Sequence, residues 1–275
     1  MKKLSIILIL CLLVSCAQAE GSEAMQSTLY VRKVENLGDD FVLGMDASCV
    51  IAQEMSGVIY RDYDGSPRDV FEVLAESGIT HIRVRVWNDP YDSEGHGFGG
   101  GNCDIDNAVK IGKRSTAAGM KLIVDFHYSD FWADPSKQMV PRAWKGMEIE
   151  MKTQAVYEYT RDCLMKLKDA GVDVGIVQVG NETNGAMCGE KIWFNIQYLM
   201  QAGAKASREV YPEALVALHF TNPEKAGNLE NFAKKMDYYK VDYDIFASSY
   251  YPYWHGSPII STSASPTPLC RARKP

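Results

Sequence analysis

The amino-acid sequence predicts an α/β protein with the (β/α)8, or TIM-barrel, architecture, of which about six β/α units are present. From residue 41 onward, strand-like and helix-like segments alternate, which is typical of parallel β/α units. Polar and aromatic residues collect at the carboxyl ends of the strand-like segments, where TIM barrels build their sites. No glycine-rich phosphate loop follows the first strand, which disfavours a doubly wound nucleotide-binding fold.

The predicted strands are short apolar segments without a helical period. They cover residues 41–48, 79–87, 121–129, 175–182, 214–220 and 244–254. A helix predicted over residues 67–78 starts at Pro67 and stops at Gly78, and helices over 104–119 and 150–171 each combine an acidic first turn with a glycine near the end. A complete barrel has eight units. We therefore expect an incomplete barrel domain over residues 41–256.

The first 19 residues predict an export signal, because two lysines precede an apolar stretch too short for a stable membrane span. Its end has two interpretations. Residues 13–16 (LVSC) resemble a bacterial lipobox, which would make Cys16 a lipidated N-terminus, whereas residues 17–19 (AQA) suit ordinary signal peptidase. We favour the lipobox. The prediction is a secreted, cell-surface or periplasmic lipoprotein that contacts the membrane only through this anchor, with residues 20–40 as a linker.

Composition narrows the classes of function. The chain has 275 residues, 46% hydrophobic and 23% charged, which is typical of a globular protein. A net charge of −6 argues against nucleic acid as a partner. The cysteines beyond the signal have no CxxC spacing and are odd in number, so neither a zinc site nor a disulfide framework is predicted, and no cofactor is expected. They are Cys49, Cys103, Cys163, Cys188 and Cys270.

The segment GIVQVGNETNG (175–185) carries the leading catalytic candidate. An apolar strand ends there in Asn181 and Glu182, and a carboxylate at the tip of a buried strand is costly unless it has a function or a partner. Partial burial would keep Glu182 protonated, ready to give a proton to a leaving oxygen. Asn181 could donate to a sugar hydroxyl beside the reacting carbon.

Other strand ends carry residues suited to binding a sugar. His127 could bind a hydroxyl or orient a carboxylate, although a lone histidine is more often structural. Trp132 and Trp254 could stack on pyranose rings or could simply anchor loops.

Two arginines, Arg83 and Arg85, alternate on the second strand. Cations that point into a barrel interior need carboxylate partners, and Asp46 could supply one.

Five motifs in order along the chain resemble glycoside hydrolase family 53, the arabinogalactan endo-β-1,4-galactanases. They are GMDAS (44–48), RVRVWNDP (83–90), DFHYSDFWADP (125–135), QVGNETNG (178–185) and SYYPYWHG (249–256). The family consists of (β/α)8 enzymes of the clan of retaining glycosidases. The resemblance implies that Glu182 is the general acid/base, that Asn181 binds the 2-hydroxyl, and that Arg85 supports the nucleophile. It also implies a galactan-binding cleft with Asp46, Trp87, His127, His219, Tyr251 and Trp254. Asp130 and Trp132, after the third strand, are further candidates for binding the substrate.

The resemblance further implies a double displacement, in which a glutamate ending strand seven is the nucleophile. The last acidic residue of this sequence is Asp244, so we expect the nucleophile to be absent and the chain to be inactive as written. Asp46, Asp125 or Asp130 as a substitute is disfavoured. Residues 257–275 turn basic and rich in serine and proline, as a change of reading frame would produce.

Two alternatives remain open at this point. The first is a non-catalytic, glycan-binding lipoprotein that keeps the cleft without hydrolysis. The second is a related retaining barrel enzyme that acts on mannan or β-glucan.

Overall fold

A computed structural model describes residues 34–38 and 40–256. The chain divides into a short unit, Met1–Phe41, and a large one, Val42–Pro275. The predicted signal with Cys16, most of the predicted linker, and residues 257–275 lie outside the described residues. No helix in the described part of the chain is both long and apolar enough to cross a membrane.

Strands and helices alternate along the large unit, which confirms the α/β pattern predicted from the sequence. The strands are β1 (Gly44–Asp46), β2 (His81–Val86), β3 (Lys121–Phe126), β4 (Val174–Val179), β5 (Leu215–Phe220) and β6 (Ile245–Ser248). The helices are α1 (Val50–Met55), α2 (Val70–Glu76), α3 (Ile105–Ala117), α4 (Ile149–Asp169), α5 (Trp193–Val210), α6 (Asn228–Tyr239) and α7 (Pro252–His255), with a 3-10 turn at Arg142–Trp144.

Several predicted strands are shorter in the structure, and two of the wrong boundaries have a local reason. Helix α2 begins at Val70 rather than at Pro67, because the Asp69 side chain caps it by accepting a hydrogen bond from the Phe71 N–H at 2.8 Å. The strand predicted over 244–254 stops at Ser248. Pro252 then starts helix α7, where its fixed φ and missing N–H suit the first helical position.

The six strands form one parallel sheet in the order β1-β2-β3-β4-β5-β6. Side chains of successive residues alternate between its two faces. The outer face is apolar and fully buried at Val84, Val124, Val177, Val216 and Leu218. Burial of each of these side chains stabilises the fold by about 1.5–3 kcal/mol. This face, covered by helices, is the main hydrophobic core.

The inner face is polar toward the carboxyl ends of the strands. Register places Asp46 beside Arg83, and Arg85 beside Asp125, which in turn lies beside Gln178. Side chains from β1 and from the segment after β6 line one cavity, so the sheet is curled with this face on its concave side. Among the described strands, β1 and β6 are each paired on one side only.

Close approach of α5 to the sheet depends on Gly203. A Cβ at this position would lie 2.6 Å from Val179 Cγ1 and 2.7 Å from Tyr128 Oη. We expect Gly203→Ala to lower the free energy of unfolding by about 1–3 kcal/mol, because overpacking outweighs the helix preference of alanine, which is worth about 1 kcal/mol. Urea unfolding measures this change. Gly185→Ala is the control, since its Cβ would meet nothing within 4 Å, and a Gly203→Ala protein as stable as wild type would contradict the prediction.

Candidate active site

A cavity of about 520 Å³ lies on the concave face at the carboxyl ends of the strands. Its lining brings together the predicted site residues Asp46, Arg85, Trp132, Asn181, Glu182, His219 and Tyr251, with Arg83, Ala133, Asp134 and Ser249. The sequence places the predicted site residues at or near the ends of six different predicted strands, and the curl of the sheet makes them neighbours.

Glu182 lies on a sharp turn directly after β4. Its φ of +50° is in the left-handed region, which is uncommon for a residue other than glycine and costs on the order of 1–3 kcal/mol. Hydrogen bonds hold the turn: the Glu182 N–H donates to His219 Nδ1 at 3.1 Å, and the Thr183 N–H donates to the His219 carbonyl at 3.0 Å. The strained conformation therefore fixes the Glu182 carboxyl relative to β5.

The environment of Glu182 favours its protonated form. Partial burial is the main influence and raises the pKa of its carboxyl. A hydrogen bond from Ser249 Oγ to Glu182 Oε1, at 2.6 Å, acts in the opposite direction, and the negative charge of Asp134 raises the pKa further. The net result is a pKa above that of an ordinary glutamate, as a general acid requires.

His219 lies behind Glu182 and is buried. Burial lowers the pKa of His219 to about 4, so its imidazole is neutral near pH 7. Nδ1 accepts the Glu182 N–H and Nε2 lies 3.1 Å from Ser249 Oγ. His219 therefore acts as a hydrogen-bonding support for Glu182 rather than as a charge.

Arg83, rather than Arg85, makes the deepest ion pair of the inner face. Its guanidinium lies 2.6 Å from Asp125 Oδ2 and 2.8 Å from Asp46 Oδ2. Asp125 is fully buried and also accepts hydrogen bonds from Gln178 Nε2 at 2.6 Å and His127 Nε2 at 2.8 Å. Burial alone would raise the pKa of Asp125, but Arg83 and the hydrogen bonds outweigh it and hold the pKa below its usual value.

Asn181 is bound into this cluster. Its Oδ1 accepts from Gln178 Nε2 at 3.2 Å and lies 3.3 Å from Arg83 Nη2, while its Nδ2 donates to the Ala133 carbonyl at 2.8 Å. Among the described residues no second acceptor meets Nδ2. One N–H of the amide is therefore available to a ligand in the cavity.

Arg85 and Trp132 form a second part of the cavity wall. The Arg85 guanidinium lies 4.3 Å from the centre of the Trp132 ring, a cation–π geometry, and 3.5 Å from Asp46 Oδ1. Trp132 is 39% exposed, so it offers ring surface to solvent. Trp87 is fully buried beneath it, with ring centres 5.7 Å apart, and supports the wall without lining the cavity.

The remaining predicted site residues do not line the cavity. His127 is buried, donates to Asp125 and accepts the Ala133 N–H at 2.9 Å through Nδ1. Asp130 accepts the Arg142 N–H at 2.8 Å and so holds a loop. Trp254 lies on α7 and is 72% exposed.

Sequence reasoning did not place Ser249 or Gln178 in the site, and considered Asp125 only as a disfavoured nucleophile. The period of two along a strand could have found them. Ser249 follows Ala247 on β6, just as His219 follows Ala217 on β5, and residues 83, 125 and 178 share the inner face by register. Of the described residues, no group of three or more His, Cys, Asp or Glu side chains could hold a metal ion.

Buried neutral His219 makes stability depend on pH. Between its ordinary pKa of 6.5 and about 4, the unfolded chain binds a proton that the folded chain does not, so stability falls as the pH falls. We expect wild type to lose about 3 kcal/mol more than His219→Gln between pH 7 and pH 4, by urea unfolding at each pH. His96→Gln, at an exposed histidine, is the control and should follow wild type; equal losses in His219→Gln and wild type would rule out this role.

Comparison with known proteins gives one consistent family. A model of glycosyl hydrolase family 53 matches residues 42–263. The endo-beta-1,4-galactanase of Bacillus subtilis (strain 168) is 52% identical over 236 residues, and the match covers 86% of this chain and 55% of that protein. The arabinogalactan endo-beta-1,4-galactanase of Thermothelomyces thermophilus is 32% identical over 232 residues, covering 81% and 67%. The chain thus spans about half the length of the Bacillus relative.

Solved structures agree. The GH53 catalytic domain of Ignisphaera aggregans superposes with a TM-score of 0.82 at 35% identity, over 86% of this chain and 66% of that one. A structure of fungal beta-1,4-galactanases gives a TM-score of 0.72 at 29% identity, over 80% and 68%. These matches confirm both the barrel fold class and the resemblance drawn from the five motifs: the chain belongs to glycosyl hydrolase family 53.

Proposed function

We propose that this protein hydrolyses β-1,4-galactosidic linkages in galactan or arabinogalactan, with Glu182 as the general acid/base of a retaining double displacement. The observation that carries the proposal is the Glu182 carboxyl itself. It faces the cavity on a strained turn, its pKa is raised, and Ser249 and His219 fix its position. Membership of family 53 and the names of the relatives supply the substrate class.

In the first step, Glu182 protonates the oxygen of the leaving sugar while a carboxylate attacks the anomeric carbon. In the second step, the Glu182 carboxylate takes a proton from the water that releases the glycosyl group. The free N–H of Asn181 is suited to the 2-hydroxyl beside the reacting carbon, and the exposed face of Trp132 is suited to stacking on a pyranose ring.

The nucleophile is the part of this mechanism that the described residues do not supply. Besides Glu182, the carboxylates lining the described cavity are Asp46 and Asp134. Asp46 is paired with both Arg83 and Arg85, and Asp134 Oδ1 accepts two hydrogen bonds from Ser136. We therefore assign the acid/base and the sugar-binding surface to the described part of the chain, and we assign no nucleophile to it.

The lack of a nucleophile among the described residues favours a second function, in which the protein binds galactan without cleaving it. We also propose, from the first 19 residues, that the protein is exported and anchored by a lipid on Cys16. An exported galactan-binding surface is compatible with both functions.

The test is Glu182→Gln, assayed on β-1,4-galactan for reducing ends and, by calorimetry, for binding. We expect binding within about twofold of wild type, because the amide keeps the shape of the carboxyl. If wild type releases reducing ends, Glu182→Gln should lower hydrolysis by roughly 10²–10⁴-fold, because the amide cannot donate the acid proton. Glu213→Gln, at an exposed glutamate outside the cavity, is the matched control.

The outcomes separate the functions. Wild type that binds galactan without releasing reducing ends supports the binding function alone. Hydrolysis of mannan or β-glucan in preference to galactan would overturn the proposed substrate. Full hydrolytic activity in Glu182→Gln would overturn the proposed role of this residue.

A further inference from the structure

We propose that Ser249 is a positioning residue that determines which oxygen of Glu182 carries the catalytic proton. The inference rests on the proposed role of Glu182 as acid/base and deepens it. Three hydrogen bonds form a closed ring: Glu182 N–H with His219 Nδ1 at 3.1 Å, His219 Nε2 with Ser249 Oγ at 3.1 Å, and Ser249 Oγ with Glu182 Oε1 at 2.6 Å.

The direction of every bond in this ring follows from its first member. A backbone N–H can only donate, so His219 Nδ1 must be the acceptor and carries no proton. An imidazole without a proton on either nitrogen would be an anion, so the proton lies on Nε2 and is donated to Ser249 Oγ. Because this bond occupies one lone pair of Ser249 Oγ, the Ser249 hydroxyl proton is directed to Glu182 Oε1. The peptide group of Glu182 thus sets the hydrogen bond that reaches its own side chain.

The two carboxyl oxygens of Glu182 are consequently inequivalent. Oε1 accepts the serine hydroxyl, while no hydrogen bond from residues 34–38 or 40–256 reaches Oε2. An acid proton on Oε1 would compete with the proton that Ser249 already donates there, so the proton is carried by Oε2. This leaves the proton-bearing oxygen free to meet the leaving oxygen of a substrate, and Oε1 fixes the plane of the carboxyl.

The ring also ties together the ends of three strands. Ser249 follows β6 directly and is half-buried at the cavity wall, His219 is on β5, and Glu182 follows β4. The bond between Ser249 and Glu182 joins positions 67 residues apart. The orientation of the acid therefore depends on the placement of β6.

The experiment is an NMR titration of the Glu182 carboxyl carbon in the full chain, with its signal assigned by its loss in Glu182→Gln. Because the serine hydroxyl stabilises the carboxylate, Ser249→Ala should raise the pKa of Glu182 by about one unit. Ser249→Thr, which keeps the hydroxyl, should restore the wild-type value. The matched control is Ser248→Ala on the same strand, whose hydroxyl donates to the Ser249 carbonyl instead of to Glu182.

Thermal unfolding of each variant separates a positioning role from a loss of fold, and Ser249→Cys, a weaker donor, should give an intermediate pKa. An unchanged Glu182 pKa in a folded Ser249→Ala or Ser249→Cys protein would overturn the inference. The titration does not require hydrolysis. A raised Glu182 pKa in a chain that never cleaves galactan would support the hydrogen-bond ring and refute the proposed enzymatic function. Cleavage of galactan with no change in the Glu182 pKa would support the enzymatic function and refute the ring.

Discussion

Arg83 reaches across the inner face of the sheet to Asp125, and most of the site is built on that contact. Asp125 has no exposed surface, and a buried carboxylate without compensation costs several kcal/mol. Here it receives donors from three directions: the arginine at 2.6 Å and the side chains of Gln178 and His127. Arg83 is balanced in turn by Asp46 on β1. Ion pairs and hydrogen bonds thereby join four strands around the buried Asp125 carboxylate.

Besides lining the cavity directly with Asp46, Arg83 and Asn181, the cluster fixes one loop residue of the cavity wall, Ala133. His127, held by Asp125, accepts the Ala133 N–H, and Asn181, held by Gln178, donates to the Ala133 carbonyl. Both backbone polar groups of Ala133 are therefore held by the buried cluster. Its chain neighbours Trp132 and Asp134 line the cavity, one as a ring surface and the other as a charge that raises the pKa of Glu182. The ion pair of Arg83 and Asp125 thus helps to fix the cavity wall at residues 132–134.

The sequence predicted the features that depend on local residue patterns and missed those that depend on how the sheet curls. Glu182 was identified because a carboxylate after an apolar strand is anomalous in any parallel sheet. The sequence predicted that Arg83 and Arg85 share a face of the sheet. That Arg83 is the one that pairs with the buried Asp125 depends on the strand register and on how deep each side chain lies. Ser249 opens the fifth motif, but nothing in its sequence context points to Glu182, since serines are common near strand ends. Its contacts with Glu182 and His219 form because the sheet curls and brings the end of β6 toward β4 and β5.

The most direct test of this account is a double-mutant cycle on Arg83 and Asp125, measured by urea unfolding at pH 7. Arg83→Met should cost about 3–5 kcal/mol by stranding a buried charge, and the double variant with Asp125→Asn should cost at least about 2 kcal/mol less than the sum of the single variants. Arg161→Met, which removes the exposed pair with Asp162, is the control and should cost far less than Arg83→Met, because solvent screens that pair. Additive effects at Arg83 and Asp125, each no larger than that of Arg161→Met, would contradict the claim that the site is built on this pair.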